Sequence, residues 1–88
     1  MIIEFDHAKD AINLEKHGVS LQDANKIEWD TLWAFQDTRH DYNEVRMIGY
    51  AYIDLRLHCI VYTDRKDVRR IISLRKANKR EIKRYAKA

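Results

Sequence analysis

The sequence predicts an α+β domain, an antiparallel sheet packed against helices in the order β-α-α-β-β-β-β-α. Three observations carry this. Early segments show helical spacing bracketed by capping residues, the chain turns strand-like after Asp30, and its end returns to helical spacing. With 88 residues, no proline and no low-complexity linker, it reads as one domain over residues 1–88.

"IIEF" near the start is β-branched and aromatic, a short first strand. Asp6 can cap a helix over "HAKDAINLEKH", with Ala8, Ala11, Ile12 and Glu15 on one face. Gly18 stands where a left-handed residue would stop it, behind Lys16 and His17 in the last turn. Ser20, with Asp23 three residues on, begins a second short helix over "LQDANKIEW". "TLWAFQD", "EVRMIGYAYI", "LHCIVYT" and "VRRIISL" then read as strands, with Gly49 marking a bulge or a close backbone approach. A final helix is expected from Lys76 to Lys87. Its packed arc would be Ala77, Asn78, Glu81, Ile82 and Tyr85, opposite a cationic arc of Lys79, Arg80, Lys83, Arg84 and Lys87.

Charge is segregated along the chain. Residues 1–44 hold four Lys/Arg against ten Asp/Glu, and residues 45–88 hold thirteen against four. From Arg65 onward eleven basic residues face only Asp67 and Glu81, a density that suits a polyphosphate or an acidic protein partner. Apolar residues make up 45%, which excludes a disordered tail. No apolar run approaches the ~20 residues that cross a bilayer, and the start has no basic or apolar leader, so a cytoplasmic location is expected. Cys59 is single and reads as a small core residue. His7, His17, His40 and His58 share no ligand-like spacing with it, so no metal and no cofactor are expected.

"KHGVS" (16–20), "EVRMIG" (44–49) and "RRIISLRKANKREIKRY" (69–85), in this order and spacing, resemble the BrnT family of type II toxin–antitoxin toxins. The resemblance implies a RelE-like fold and a small cytoplasmic endoribonuclease that inhibits translation by cutting RNA. It also implies a BrnA-like antitoxin that masks the toxin and binds operator DNA through a ribbon-helix-helix domain.

Metal-free RNA cleavage uses the 2′-hydroxyl as nucleophile and needs a proton acceptor, cations for the crowded phosphate and a proton for the leaving oxygen. Arg75 and Arg70, flanking the last strand, suit the phosphate, with Arg46 on a neighbouring strand. Each has a bland alternative. Arg70 would pair with an acid of the first half, and Arg46 with Glu44 or an acid across the sheet. His17, with an ordinary pKa of ~6.5, suits proton transfer or else caps its helix. Glu81 reads first as a buried carboxylate paired with Arg75 or Arg70, and second as a base or as the group orienting Tyr85. Lys16, Lys76, Lys79, Arg80, Lys83 and Arg84 are candidates for steering RNA or facing the antitoxin. A non-enzymatic nucleic-acid-binding or partner-binding module would use the same basic face.

Overall fold

The computed structural model describes residues 1–88 and confirms the α+β class. Its elements are β1 (Ile2–Glu4), α1 (His7–His17), a 3₁₀ helix (Leu21–Lys26), β2 (Glu28–Gln36), β3 (Met47–Ile53), β4 (Arg56–Arg65), β5 (Val68–Lys76) and α2 (Lys79–Lys87). Strands β2 to β5 form an antiparallel meander, and β1 joins the far edge parallel to β5, giving the order β1-β5-β4-β3-β2. No helix is long and apolar enough to cross a membrane.

Helix α1 begins and ends where its caps dictate. The Asp6 carboxylate accepts from the Ala8 and Lys9 amides, and Gly18, at φ 70°, donates its N–H to the Leu14 carbonyl. Its packed face, however, is not the expected one. Ala8, Ala11 and Glu15 are exposed and Ile12 is 63% exposed, whereas Asn13 is buried. The reason lies in β5, whose edge is paired by β1 only as far as Arg70. Beyond that point the Asn13 amide donates to the Leu74 carbonyl at 2.8 Å and accepts from the Leu74 N–H at 3.3 Å, replacing a missing strand.

The second helix is a 3₁₀ segment that stops at Lys26, and β2 starts at Glu28, earlier than Thr31. Ser20 caps it by accepting from the Gln22 amide, and Asp23 forms no capping box. A register shift in β2 between Glu28 and Trp33 accommodates the early start, with the Thr31 hydroxyl accepting from the Tyr52 amide in place of a backbone carbonyl. Strand β3 begins at Met47 and not Glu44, because residues 37–46 fold around the Asp37 carboxylate. Strand β5 runs on to Lys76, and α2 starts only at Lys79, fixed by a capping box between Asn78 and Glu81. Ile82, expected on the packed arc, is 40% exposed.

The sheet has two unlike faces. On one, Val19, Leu21, Ala24 and Ile27 pack on Ala51, Ile60, Tyr62, Ile71 and Leu74 to make the main core. There Gly49 allows a close approach, since a Cβ would lie 2.6 Å from Leu32 Cδ1. On the other, Tyr50, Leu57, Cys59 and Ala77 form a smaller cluster with Trp33, Phe35 and Tyr85. Helix α2 covers only part of this second face.

Candidate active site on the open sheet face

Register aligns two rows across the second face. Trp33, Tyr50, Cys59 and Arg75 form one row, and Phe35, Ile48, Val61 and Ser73 the next. Between these rows and α2 lies a cavity of about 410 Å³. Its floor is largely apolar, built from Phe35, Ile48, Tyr50, Cys59 and Val61. Its rim carries Arg39, Arg75 and Arg84 with a single acid, Glu81.

That acid is fully engaged. Glu81 accepts from Arg75 Nη1 and Nη2, each at 2.8 Å, from the Tyr50 hydroxyl at 3.0 Å and from the Asn78 amide at 2.9 Å. The Arg75 guanidinium, helped by the Asn78 amide and the Tyr50 hydroxyl, holds its carboxyl down at about 2 against the cost of burial. Glu81 is therefore an anion throughout the neutral range and no proton acceptor there. Burial pushes the Tyr50 hydroxyl well above the ordinary tyrosine range and raises the Cys59 thiol, so both keep their protons.

Arg75 is only partly spent. A guanidinium has five N–H donors. Three are used, two on Glu81 and one on the Lys76 carbonyl at 3.3 Å. The remaining Nε–H and outer Nη2–H lie side by side on the other edge of the fork, the edge that Arg39 and Arg69 use to grip their own carboxylates. Arg75 thus combines a fixed position with an unoccupied two-donor edge at the cavity.

The opposite lip is built on Asp37, which is buried and accepts from Arg39 Nε and Nη2 at 2.9 and 2.8 Å and from the Tyr42 hydroxyl at 3.0 Å. These donors, Arg39 foremost, hold its carboxyl far below the usual range. Arg46 stacks on the Tyr42 ring, 3.9 Å from its centroid, and its buried Nε has no hydrogen-bond partner. Glu44, considered as its partner, pairs instead with Arg65. Arg39 belongs to no motif and sits in a polar connection, so nothing in the sequence singled it out for the rim.

The other candidates divide. Arg84 lines the cavity, with its guanidinium 6.0 Å from the Trp33 ring centroid. His17 closes α1 within the field of Arg75. Partial burial, with the charges of Lys16 and Arg75 adding to it, pulls its pKa below the ordinary value and favours the neutral ring near pH 7. Arg70 makes an ion pair with Glu4 at 2.9 Å and does not line the cavity. Tyr85 lies one turn from Glu81, yet its hydroxyl donates to the Thr31 carbonyl, anchoring α2 to the irregular stretch of β2. Glu81 therefore orients Tyr50 and not Tyr85. Lys76, Lys79, Arg80 and Lys83 are exposed and form no ion pair, leaving the outer arc of α2 uniformly cationic. No three His, Cys, Asp or Glu side chains cluster as metal ligands.

The crystal structure of the Brucella abortus ribonuclease toxin BrnT shares this fold, with a TM-score of 0.70, 22% identity, and coverage of 90% of this chain and 99% of that one. No curated protein matches the chain. The family model described as "Ribonuclease toxin, BrnT, of type II toxin-antitoxin system" matches residues 5–81. Since that span takes in β2 to β5, the two arginine-bearing rims and the start of α2, the chain belongs to the BrnT family of ribonuclease toxins of type II toxin–antitoxin systems.

Proposed function

We propose that the protein is a metal-independent endoribonuclease that cuts RNA through its own 2′-hydroxyl and so inhibits translation in the cytoplasm. The observation that carries this is the half-used Arg75 guanidinium, locked by Glu81 and offering a two-donor edge at an arginine-rimmed cavity. A phosphodiester on that edge is held in the geometry its transition state needs, with Arg39 and Arg84 adding charge.

In the reaction the 2′-oxygen bonds to phosphorus, the bond from phosphorus to the 5′-oxygen breaks, and a cyclic phosphate is left. His17, outside the cavity lining and favouring its neutral form near pH 7, takes the 2′-proton through a water molecule, and the departing 5′-oxygen takes a proton from solvent. Glu81 and Tyr85 act by position, the first holding Arg75 and the second holding α2. Arg46 and Arg70 extend the cationic track, and Lys16, Lys76, Lys79, Arg80 and Lys83 draw in the RNA backbone. The partner is a BrnA-like antitoxin that covers this face and, through a ribbon-helix-helix domain, brings the complex to operator DNA.

The test is cleavage of labelled RNA by partner-free protein in EDTA, beside an Arg75→Ala variant. Cleavage by the wild type that the variant lacks supports the reading. RNA that stays intact but is retarded on a gel would replace it with that of a non-enzymatic binding module.

A further inference from the structure

The face of α1 left without a protein partner is more than an exposed helix. Lys9, Ile12, Asn13 and Lys16 follow one another at helical spacing along a stripe beside β5, and with Ile72 and Ser73 they enclose a groove of about 180 Å³. Ile72 reaches the groove because it is the extra residue of a bulge. Val61 is opposite Ser73 and Tyr62 opposite Ile71, so Ile72 has no partner on β4. The apolar centre is Ile12 with Ile72, flanked by a lysine at each end of the stripe.

Neither lysine forms an ion pair with a surrounding acid, and Asp6, the one acid in the field of Lys9, is engaged in accepting the Ala8 and Lys9 amides at the start of the helix. Asp10 accepts from the Ser20 hydroxyl and the Leu21 amide, and Glu4 is paired with Arg70. Glu15 lies about 110° away around the helix. Ser73 lines both this groove and the arginine-rimmed cavity, so a chain lying in the groove and crossing Ser73 arrives at Arg75 and Arg84.

We propose that the groove between α1 and β5 docks an acidic amphipathic segment of the antitoxin, which extends from there across Ser73 over the arginine-rimmed cavity. An aliphatic side chain of that segment fills the space between Ile12 and Ile72. Its carboxylates reach Lys9 and Lys16, and the continuing acidic chain competes with RNA for Arg75 and Arg84. This rests on the ribonuclease reading for its consequence, blocked cleavage, but not for the contact itself.

The experiment uses the full chain and its cognate antitoxin, with Ile12→Asp, Lys9→Glu and, as a control on the other helix, Ile82→Asp. Two readouts are taken: the affinity for the antitoxin by calorimetry, and the antitoxin concentration that halves RNA cleavage. Ile12→Asp should weaken antitoxin binding about 30-fold, the scale of losing one interface anchor. Lys9→Glu should weaken it less and lower its salt dependence, and Ile82→Asp should match the wild type. Without antitoxin all three should cut RNA at the wild-type rate. Unchanged antitoxin affinity in Ile12→Asp overturns the proposal. So does slower RNA cleavage by Ile12→Asp and Lys9→Glu with antitoxin affinity intact, which would give the groove to RNA. If the wild type cuts no RNA, the calorimetry still decides whether the groove binds the antitoxin, so the two readings fail separately.

Discussion

Arg75 grips Glu81 with both terminal nitrogens at 2.8 Å, and this one contact joins the last strand to the last helix. Tyr50 from β3 and the Asn78 amide complete the carboxylate's shell, so three elements meet on a single buried acid. The pair serves two ends, fixing α2 on the sheet and aiming the unused edge of Arg75.

Glu81→Gln should show both. The amide cannot accept the same set of donors, and a half-exposed guanidinium loses its counter-charge, at a cost of about 1–2 kcal/mol once solvent screening of Arg75 is allowed for. Urea unfolding should register that loss. RNA cleavage under conditions where the variant remains folded should fall about 10- to 100-fold as Arg75 loses its aim.

Acid should unfold the wild type by the same route. The carboxyl of Glu81 sits at about 2 in the folded protein against 4.5 ordinarily, so its contribution is complete above pH 4.5 and disappears as pH falls towards 2. Asp37, also depressed, works in the same direction. Stability measured from pH 5 to pH 2 should decline less steeply in Glu81→Gln than in the wild type, because the variant has no such group to protonate. Equal slopes would show that Glu81 is not the coupled group.

Arg75→Lys should not rescue cleavage. A lysine ammonium has no second edge, so it cannot hold Glu81 by two bonds and present two more donors to a phosphate. Cleavage rates in EDTA should drop by about 100-fold, the scale of losing one transition-state donor. Near-wild-type activity would mean that charge alone suffices there.

Asn13→Leu should destabilise the fold although it replaces a buried polar residue with an apolar one of similar size. It leaves the Leu74 N–H and C=O without partners, costing about 2–4 kcal/mol. The exposed neighbour Ile12 should tolerate aspartate within about 0.5 kcal/mol. Thermal melts of the two variants compare them directly.

Gly49→Ala should cost about 1–3 kcal/mol through the contact with Leu32. Combining it with Leu32→Ala should cost less than the two changes added separately, since the clash then has no second partner. Strict additivity in urea midpoints would place the strain elsewhere.

Local chemistry was legible in the sequence, and relationships across the sheet were not. Asp6 and Gly18 set both ends of α1 because capping acts over a few residues. The Asn78–Glu81 box was equally present in the sequence, yet the helix was expected from Lys76, because "RKANK" carries helix formers whose first members are drawn into β5 by pairing with β4. The inward face of α1 was misread since its key contact, Asn13 on Leu74, answers a gap in strand pairing that no periodicity records. Helical spacing offers Tyr85 as the second reading of Glu81, whereas its hydroxyl partner is Tyr50, 31 residues away on β3. The pairing of Arg75 with Glu81 and of Arg70 with an early acid was foreseen by charge alone.

The bulge at Ile72 gives "RRIISLRK" two reading frames. Ile71 and Leu74, three residues apart, both enter the main core, although in an unbroken strand they would face opposite ways. The odd residue between them is a phase shifter. It lets Ile71 and Leu74 both enter the core while Ser73 and Arg75 face the open side. Removing Ile72 would leave Ile71, Ser73 and Leu74 in step with Tyr62, Val61 and Ile60, so Ile71 and Leu74 would keep the core and Arg75 the open face with no bulge at all. Ile72 is thus the one residue of the strand that the ladder can spare, and its deletion should be tolerated better than deletion of a paired residue such as Ile60, which would put β4 out of step with both neighbours.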